Sequence, residues 1–292
     1  MNLPRITVVT PSFNQGRFLE QTIRSVLDQG YPNLEYIICD GGSTDNSVEI
    51  IGKYQDRLAW WCSGKDNGQS DAINMGLRRG SGDLFTFINS DDTLCPGSLM
   101  AAANAFMEGR RWIMGWAMFL EPGGGDWPQL PEAYSRRVDW HLGNPICQQG
   151  TFWDASFTRE LGYFREELRY AFDYDFWMRL VFRGKTFPHL LRRCMATYRL
   201  HEGSKTFSEF DKFEAEFKVI RGEYSNLLTA KEQSMVIRER RARNIEQHRR
   251  LGWNAMKQGD VPSARQHARQ ALGRSPLQTE SWRLMYCALR GH

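Results

Sequence analysis

Three polar side chains follow directly after one short apolar segment, and they are the residues of this sequence best placed to do chemistry. The segment Leu84–Ile88 is rich in aromatic and β-branched residues, and Asn89, Asp91 and Asp92 come after it. Carboxylates without a basic run beside them suit a hard divalent cation such as Mg²⁺ or Mn²⁺, which is often shared with substrate phosphates. The alternative is that the two aspartates only cap a helix opened by Pro96. This motif alone leaves both interpretations open.

The elements that must position these side chains alternate between strands and short helices. The pattern predicts strands at residues 6–10, 35–40, 58–62 and 84–88, and helices at about 17–29, 47–54 and 71–77. Such alternation favours right-handed βαβ units and a largely parallel sheet. Open α/β sheets bind ligands beyond the carboxyl ends of their strands, so Asp40, Asp71, Asn89 and Asp91 are expected at one rim. Taken singly, Asp40 is also typical of a turn and Asp71 of a helix start.

Four motifs, in this order, resemble the family 2 glycosyltransferases of GT-A fold. They are Thr10–Asn14, Asp40–Asp45, Asp66–Gly76 and Asn89–Asp92. The resemblance implies a GT-A-like (Rossmann-like) α/β fold, with a mixed, mostly parallel sheet flanked by helices. It also implies an inverting enzyme that moves a sugar from a nucleoside-diphosphate sugar to an acceptor hydroxyl. Synthesis of a cell-surface polysaccharide or a glycolipid is the setting expected from a bacterial member.

The resemblance further implies roles at the nucleotide end of the site. Pro11 and Phe13 would lie against the nucleobase, Asp40 would hydrogen-bond the edge of the base, and Asp71 would help to fix the nucleotide-sugar. We therefore expect these four residues to surround the donor.

A metal site is implied by the same comparison. Asn89-Ser90-Asp91 stands where the family has its Asp-x-Asp motif, so Asp91 is expected to meet Mn²⁺ or Mg²⁺ bridging the diphosphate, with Asn89 and Ser90 beside the nucleotide-sugar. Such a metal neutralises the departing nucleoside diphosphate. His201, in a Tyr-Arg-x-His context, is expected as a second metal ligand, and Lys205 is expected to reach the diphosphate.

An inverting transfer also needs a base for the acceptor hydroxyl. Phe172–Leu180 resembles the Glu-Asp segment of the family, with Phe172 in place of the Glu. Aligned in this way Asp173 is the base, and Asp175 remains the alternative. The two side chains sit about 200° apart on a helix, so only one should face the cleft. In the predicted sheet segment 146–153, Gln149 and Trp153 are candidates for binding the acceptor sugar.

Composition limits the class of protein. The chain has 292 residues, of which 41% are hydrophobic and 25% charged, so wholesale disorder is not expected. No apolar run approaches the roughly 18 residues of a membrane span, and the first residues do not have the form of a signal peptide. The six cysteines lack metal-ligand spacing and are expected to be reduced core residues. Cytoplasmic residence is the expectation that follows.

The C-terminal part carries the positive charge. Residues 231–292 contain 13 Lys and Arg against 5 Asp and Glu, or +8, which leaves 4 − 8 = −4 for the first 230 residues. We expect a catalytic domain at 1–225 and a helical extension at 226–292, in which Leu251–Pro276 resembles one tetratricopeptide-like hairpin. One such unit cannot close its own core, which leaves open packing on the catalytic domain, a homo-oligomer through the tail or contact with a membrane.

The run Arg238–Arg243 suits either a solvated helix face or anionic lipid at the inner face of the cell membrane, as expected for a glycan or lipid-linked acceptor. Nucleic-acid binding is not expected, because no recognised module accompanies the arginines. Two other functions are less well supported by the residues. A sugar-phosphate nucleotidyltransferase needs a glycine-rich basic loop after the first strand, which residues 11–16 do not provide. A catalytically inactive carbohydrate- or nucleotide-binding scaffold is disfavoured by the intact acidic residues.

Overall fold

The structure is a computed structural model that describes residues 2–130, 135–201, 203 and 209–291. Lys205 lies outside these residues. The strands described are β1 Ile6–Ser12, β2 Leu34–Asp40, β3 Trp60–Ser63, β4 Leu84–Phe87, β5 Thr93–Leu94, β6 Trp112–Leu120, β7 Trp127–Gln129, β8 Thr151–Asp154 and β9 His189–Arg199. The α-helices described are α1 Gly16–Leu27, α2 Ser47–Tyr54, α3 Gln69–Arg79, α4 Ser98–Met107, α5 Arg137–Leu142, α6 Ala155–Leu161, α7 Phe172–Phe182, α8 Phe210–Ser225, α9 Ala230–Lys257, α10 Val261–Arg274 and α11 Thr279–Arg290.

These strands form one mixed sheet in the order β3-β2-β1-β4-β8-β6-β9-β5, and β7 pairs with β6 outside that path. The first four are mutually parallel. β8 runs antiparallel to both β4 and β6, while β9 is parallel to β6. The predicted mixed, mostly parallel sheet flanked by helices is therefore confirmed. The carboxyl ends of β1, β2 and β4 lie at the same edge, so the residues that follow them are brought together.

Close packing of α3 on the sheet depends on a glycine. A Cβ atom added at Gly76 would lie 2.5 Å from Val9 Cγ1 and 3.3 Å from Ile37 Cγ2. Val9 and Ile37 are register partners on β1 and β2, and both are buried. The helix that begins just after the Asp66–Gly68 turn can therefore lie directly against the parallel strands.

Large aromatic side chains fill the core on the antiparallel side of the sheet. Trp112 stacks on Trp177 with a centroid separation of 5.5 Å, and Trp153 meets Trp177 at 5.6 Å. Trp153 is 0% exposed, and its indole N–H donates to Thr158. The prediction that Trp153 stacks on an acceptor sugar is therefore wrong, because its ring is enclosed by other aromatic side chains.

Two compact units can be distinguished along the chain. One comprises residues up to 140 together with 144–227, and the other comprises 141–143 and the residues from 228 on. In the second unit Ala255, Ala264 and Ala288 form a small core, and a Cβ at Gly252 would lie 2.6 Å from Leu284 Cδ2. The small residues that predicted a helical hairpin thus allow close approach of α9, α10 and α11. The division into a catalytic domain at 1–225 and a helical extension at 226–292 remains a prediction.

None of the helices in the described part of the chain has the length and apolar character that crossing a membrane requires.

Candidate active site

A cavity of about 970 Å³ lies at the carboxyl edge of the parallel strands. Side chains from β1, β4 and α7, far apart in sequence, meet on its walls. The predicted site residues that line it are Pro11, Phe13, Asn89, Ser90, Asp91, Gln149 and Asp173. Asp40, Asp71 and His201 are not among its lining residues, but each is bonded to a loop or side chain at its edge.

Phe13, the aromatic residue at the mouth of the cavity, is followed by a residue in the left-handed backbone conformation. Phe13 is 60% exposed, and Asn14 adopts a φ of 51°, which asparagine tolerates better than most residues. The side-chain oxygen of Asn14 accepts from the backbone N–H of Thr44 at 2.9 Å, and the backbone N–H of Asn14 donates to Ser43 Oγ at 2.8 Å. The loop after β1 is therefore fastened to the loop after β2.

Asp40 organises that second loop. Its buried carboxylate accepts from the backbone N–H groups of Gly42 at 3.1 Å and Ser43 at 2.9 Å, and from the hydroxyls of Ser43 at 2.5 Å and Ser63 at 2.7 Å. In the described structure both carboxylate oxygens of Asp40 thus accept hydrogen bonds from other residues of the protein, and Asp40 does not line the cavity. Its predicted bond to a nucleobase edge remains a prediction.

Asp71 and Asp66 shape the turn before α3. Asp71 Oδ2 accepts from the backbone N–H of Asn67 at 3.0 Å, while Asp66 lines the cavity and accepts from Gly68 N–H at 2.9 Å. Burial, followed by the charge of Asp71, raises the pKa of Asp66. A Cβ at Gly41 would lie 2.7 Å from Asp66 Oδ2, so a side chain at position 41 would displace the Asp66 carboxylate. Asp66 belongs to the motif recognised in the sequence, but no role was predicted for it.

His201 lies beside Asp91, although the two are far apart in sequence. Its Nε2 is 2.9 Å from Asp91 Oδ2. Its Nδ1 is 3.1 Å from the backbone N–H of Gly203 and 3.0 Å from the guanidinium of Arg17, both of which are donors. Nδ1 must therefore accept, and Nε2 carries the proton that is donated to Asp91.

These two side chains suit a cation that takes its other ligands from a substrate. The described residues contain no group of three or more His, Cys, Asp or Glu side chains that could hold a metal. Mg²⁺ and similar ions often use only one or two protein carboxylates together with phosphate oxygens and water. Asp91 and His201 lie close enough together for such a site. To bind a cation through Nε2, His201 would carry its proton on Nδ1, and Arg17 and Gly203 would no longer donate to that nitrogen.

Asp92 connects the segment Asn89–Asp91 to the rest of the fold. It is fully buried and accepts from the backbone N–H of Arg199 at 3.0 Å and from the amides of Gln149 at 3.2 Å and Asn89 at 3.3 Å. Burial, and then the charge of Asp91, raises the pKa of Asp92 well above its ordinary value. Gln149, predicted to bind an acceptor sugar, donates to this carboxylate although it also lines the cavity. Through its hydrogen bond from Arg199, Asp92 also holds the end of β9, two residues before His201.

Asp173 and Asp175 have different surroundings. Asp173 lines the cavity, and burial raises its pKa to about 6 against the opposing effects of the Tyr174 backbone N–H at 2.7 Å and the Asn144 amide at 3.5 Å. Asp175 is 1% exposed and pairs with Arg179 at 3.0 Å and Arg165 at 3.4 Å. Of the two candidates for the base, Asp173 faces the cavity.

The far wall of the cavity is largely aromatic, and it was not predicted from the sequence. It is formed by Phe119, Tyr198, Arg169, Tyr170, Phe213 and Phe217. These residues come from β6, β9, the segment before α7 and α8. Phe213 and Phe217 lie four residues apart on α8, a spacing typical of an apolar helix face, and such spacing does not distinguish a cavity wall from a core.

The chain matches a known protein family over the residues that form the four mutually parallel strands β1 to β4 of the sheet. The family model described as "Glycosyl transferase family 2" matches residues 7–168. An uncharacterized glycosyltransferase of Haemophilus influenzae is 37% identical over 37% of this chain and 44% of its own length. An uncharacterized glycosyltransferase of Mycobacterium tuberculosis, Rv1514c, is 30% identical over 60% of this chain and 68% of its own length. The matched region thus spans less than half of the first relative.

Solved structures share the fold over nearly the whole chain. A crystal structure of S. aureus TarS in complex with UDP-GlcNAc superposes with a TM-score of 0.66 and 18% identity, covering 98% of this chain and 88% of that one. The mannosyltransferase PcManGT from Pyrobaculum calidifontis, in complex with GDP-Man and Mn²⁺, gives a TM-score of 0.56 and 17% identity, covering 100% and 86%.

Proposed function

The chain belongs to glycosyl transferase family 2 and is a transferase enzyme, and from this premise we propose that it is a metal-dependent, inverting glycosyltransferase. It would move a sugar from a nucleoside-diphosphate sugar to an acceptor hydroxyl. The observation that carries the proposal is that Phe13, Asp91 and Asp173 line one cavity.

In the proposed reaction Asp173 takes the proton of the acceptor hydroxyl. The acceptor oxygen then forms a bond to the anomeric carbon while the bond from that carbon to the diphosphate oxygen breaks, and the electron pair leaves with the nucleoside diphosphate. A base works best when its pKa is near the working pH, and the pKa of Asp173, raised to about 6, supports this role. Attack from the side opposite the leaving group inverts the anomeric carbon.

Asp91 and His201 are the residues proposed to hold Mn²⁺ or Mg²⁺. When bound, the cation would stabilise the negative charge that develops on the departing diphosphate. Asp92 supports this assignment, because its buried carboxylate fixes Asn89 and the end of β9 and thereby keeps Asp91 and His201 adjacent.

We place the nucleoside at the loops after β1 and β2. Pro11 and the exposed ring of Phe13 would contact the base, with Asn89 and Ser90 closer to the sugar. Asp40 and Asp71 are proposed to act at the same end, where they now hold the loops that carry these residues. UDP and GDP sugars are both candidates, since similar structures hold UDP-GlcNAc and GDP-Man.

The decisive test combines donor binding with two variants. Thermal shift with a panel of UDP and GDP sugars, beginning with UDP-GlcNAc and GDP-Man, selects the donor because a bound ligand stabilises the folded state. With that donor, Mn²⁺ and water as the acceptor, Asp173→Asn should slow donor hydrolysis by about 10²- to 10⁴-fold. Asp91→Ala should abolish the stimulation by Mn²⁺. Asp56→Asn, at an exposed position outside the cavity, is the matched control. Full metal-stimulated activity in Asp91→Ala would remove the proposed metal site.

We also propose a glycan or lipid-linked acceptor and a cytoplasmic enzyme that binds peripherally to the inner face of the membrane. Support comes from the excess of basic residues in 231–292 and from one face of α11, where Trp282, Tyr286 and Leu289 are each more than half exposed and Arg290 lies 4.5 Å from the Tyr286 ring. Exposed aromatic and basic side chains on one helix suit an anionic membrane surface.

Vesicle sedimentation separates membrane binding from self-association. The protein should bind vesicles that contain phosphatidylglycerol and not those of pure phosphatidylcholine, and Trp282→Ser combined with Tyr286→Ser should weaken this binding. If light scattering instead shows an oligomer that the same pair of substitutions dissociates, the face serves a homo-oligomer through the helical tail.

A further inference from the structure

We infer that Glu216 is a positioning residue for the transfer reaction, because its carboxylate holds the segment that delivers Asp173 to the cavity. The inference rests on the proposed function, since it concerns the residue proposed as the base. It adds a residue from α8, which lies beyond the region matched by the family model.

Glu216 binds three successive backbone N–H groups. One carboxylate oxygen accepts from Arg169 at 2.9 Å, and the other accepts from Tyr170 at 2.9 Å and from Ala171 at 2.7 Å. Hydrogen bonds in which the acceptor is ionised are roughly twice as strong as neutral ones. A single side chain from a helix distant in sequence thus fixes the backbone of residues 169–171, the segment that leads into α7.

The N-cap position of α7 offers no side chain that could bind these N–H groups in place of Glu216. Ala171 is the N-cap residue of α7 and has no side-chain oxygen with which to bind a backbone N–H. An anion beside the start of a helix is also favoured by the helix dipole. Asp173 is the second residue of α7, so the orientation of its carboxylate depends on how the three residues 169–171 are held.

The same segment forms part of the cavity wall. Arg169, Tyr170, Phe172 and Asp173 all line the cavity. Displacing a reacting group by about 1 Å can slow a reaction by about 100-fold. Freeing the three N–H groups should therefore affect turnover more than binding of the donor, whose proposed contacts lie on other loops.

Other contacts keep α8 in place when this carboxylate is changed. Phe213 meets the Tyr170 ring at 5.3 Å, Phe217 meets the Tyr174 ring at 4.9 Å, and Glu223 pairs with Arg165 at 2.7 Å. Glu216→Gln preserves the shape of the side chain. Its amide has one oxygen in place of two, and its NH₂ group would face backbone donors, so at least one of the three bonds is lost.

The test compares Glu216→Gln with Glu214→Gln. Glu214 lies on the same helix, is half-exposed and pairs with Arg221, so its variant controls for loss of a charge from α8. Hydrogen exchange of the full chain should show amides 169–171 exchanging roughly 10-fold faster or more in Glu216→Gln, as loss of a bond to a charged group implies, and unchanged in Glu214→Gln. With UDP-GlcNAc or GDP-Man, Mn²⁺ and water as the acceptor, the kcat of donor hydrolysis should fall roughly 10- to 100-fold while KM for the donor stays the same.

Three results would overturn the inference: unchanged exchange at 169–171, faster exchange spread across the whole first unit, or an unchanged kcat in Glu216→Gln. Asp173→Asn is measured in parallel. If Asp173→Asn keeps full activity, the proposed base is wrong. If it is inactive and Glu216→Gln is fully active, only the role of Glu216 is lost.

Discussion

Replacing the proposed base with its neutral isostere should make the protein more stable and less active at the same time. The pKa of Asp173 is raised from its ordinary value of 3.8 to about 6, chiefly by burial. A folded-state pKa above that of the unfolded chain means that folding favours the neutral carboxyl. Its stabilising contribution is therefore complete below about pH 4 and is lost as the pH rises through about 6. Asp173→Asn stays neutral at every pH and keeps that contribution.

The shift corresponds to about 3 kcal/mol, because each pKa unit is worth about 1.4 kcal/mol. In Asp173→Asn the new amide oxygen would still accept from the Tyr174 N–H. The new NH₂ group would face the NH₂ group of Asn144, whose oxygen accepts from the Ile146 N–H, so the 3.5 Å hydrogen bond from Asn144 would be lost. Subtracting about 1 kcal/mol for that contact leaves an expected gain of about 2 kcal/mol at pH 8. The gain should shrink towards zero at pH 4.

Urea unfolding followed by tryptophan fluorescence at pH 8 and pH 4.5 measures this difference, beside the assay of sugar transfer. Asp175→Asn is the matched control two residues away. It breaks a buried pair with Arg179 and should destabilise the fold by about 3 to 5 kcal/mol at pH 8. If Asp173→Asn is less stable than wild type at pH 8, or if its gain in stability is the same at both pH values, the assignment of a base with a raised pKa is refuted.

Three further predictions follow from the site and its packing. The transfer rate should fall as the pH drops through about 6, to roughly one tenth of its plateau at pH 5, because the base must be ionised; a flat pH–rate profile between pH 5 and 7 would contradict this. Phe13→Ala should weaken UDP binding about 10-fold by calorimetry through loss of base stacking, whereas the similarly exposed Val219→Ala should leave it unchanged. Gly76→Ala should lower the free energy of unfolding by about 1 to 3 kcal/mol, since its Cβ would meet Val9, while Gly52→Ala, with open space around its Cβ, should be neutral or stabilising; equal effects would exclude the packing argument.

The parallel half of the fold was predictable because its signals are local. Its strands are rich in β-branched residues and end in polar motifs. Parallel pairing alone brings those ends to one edge of the sheet, independently of contacts made by distant parts of the chain. The helix 47–54 and the strand end at Asp40 accordingly lie where the pattern predicted them. Deciding whether a carboxylate faces the cavity or its own loop required coordinates, as Asp40 and Asp71 demonstrate.

The antiparallel half was harder, since its contacts join segments with no local pattern in common. Trp153 could equally stack on a sugar or fill a core, and only its neighbours Trp177 and Phe87 place it inside. Likewise, nothing in the sequence near Glu216 indicates that it binds the approach to α7. Such pairings depend on long-range packing and not on propensity.

The central claim is that Asp91 and Asp173 serve one reaction from two walls of one cavity. Anomalous diffraction from crystals grown with Mn²⁺ and the selected nucleotide sugar tests it most directly. We predict a manganese peak about 2 Å from an Asp91 oxygen, bridging the diphosphate, with the anomeric carbon turned towards Asp173. A nucleotide-sugar bound with its anomeric carbon away from Asp173, or manganese bound elsewhere on the protein, would contradict the account.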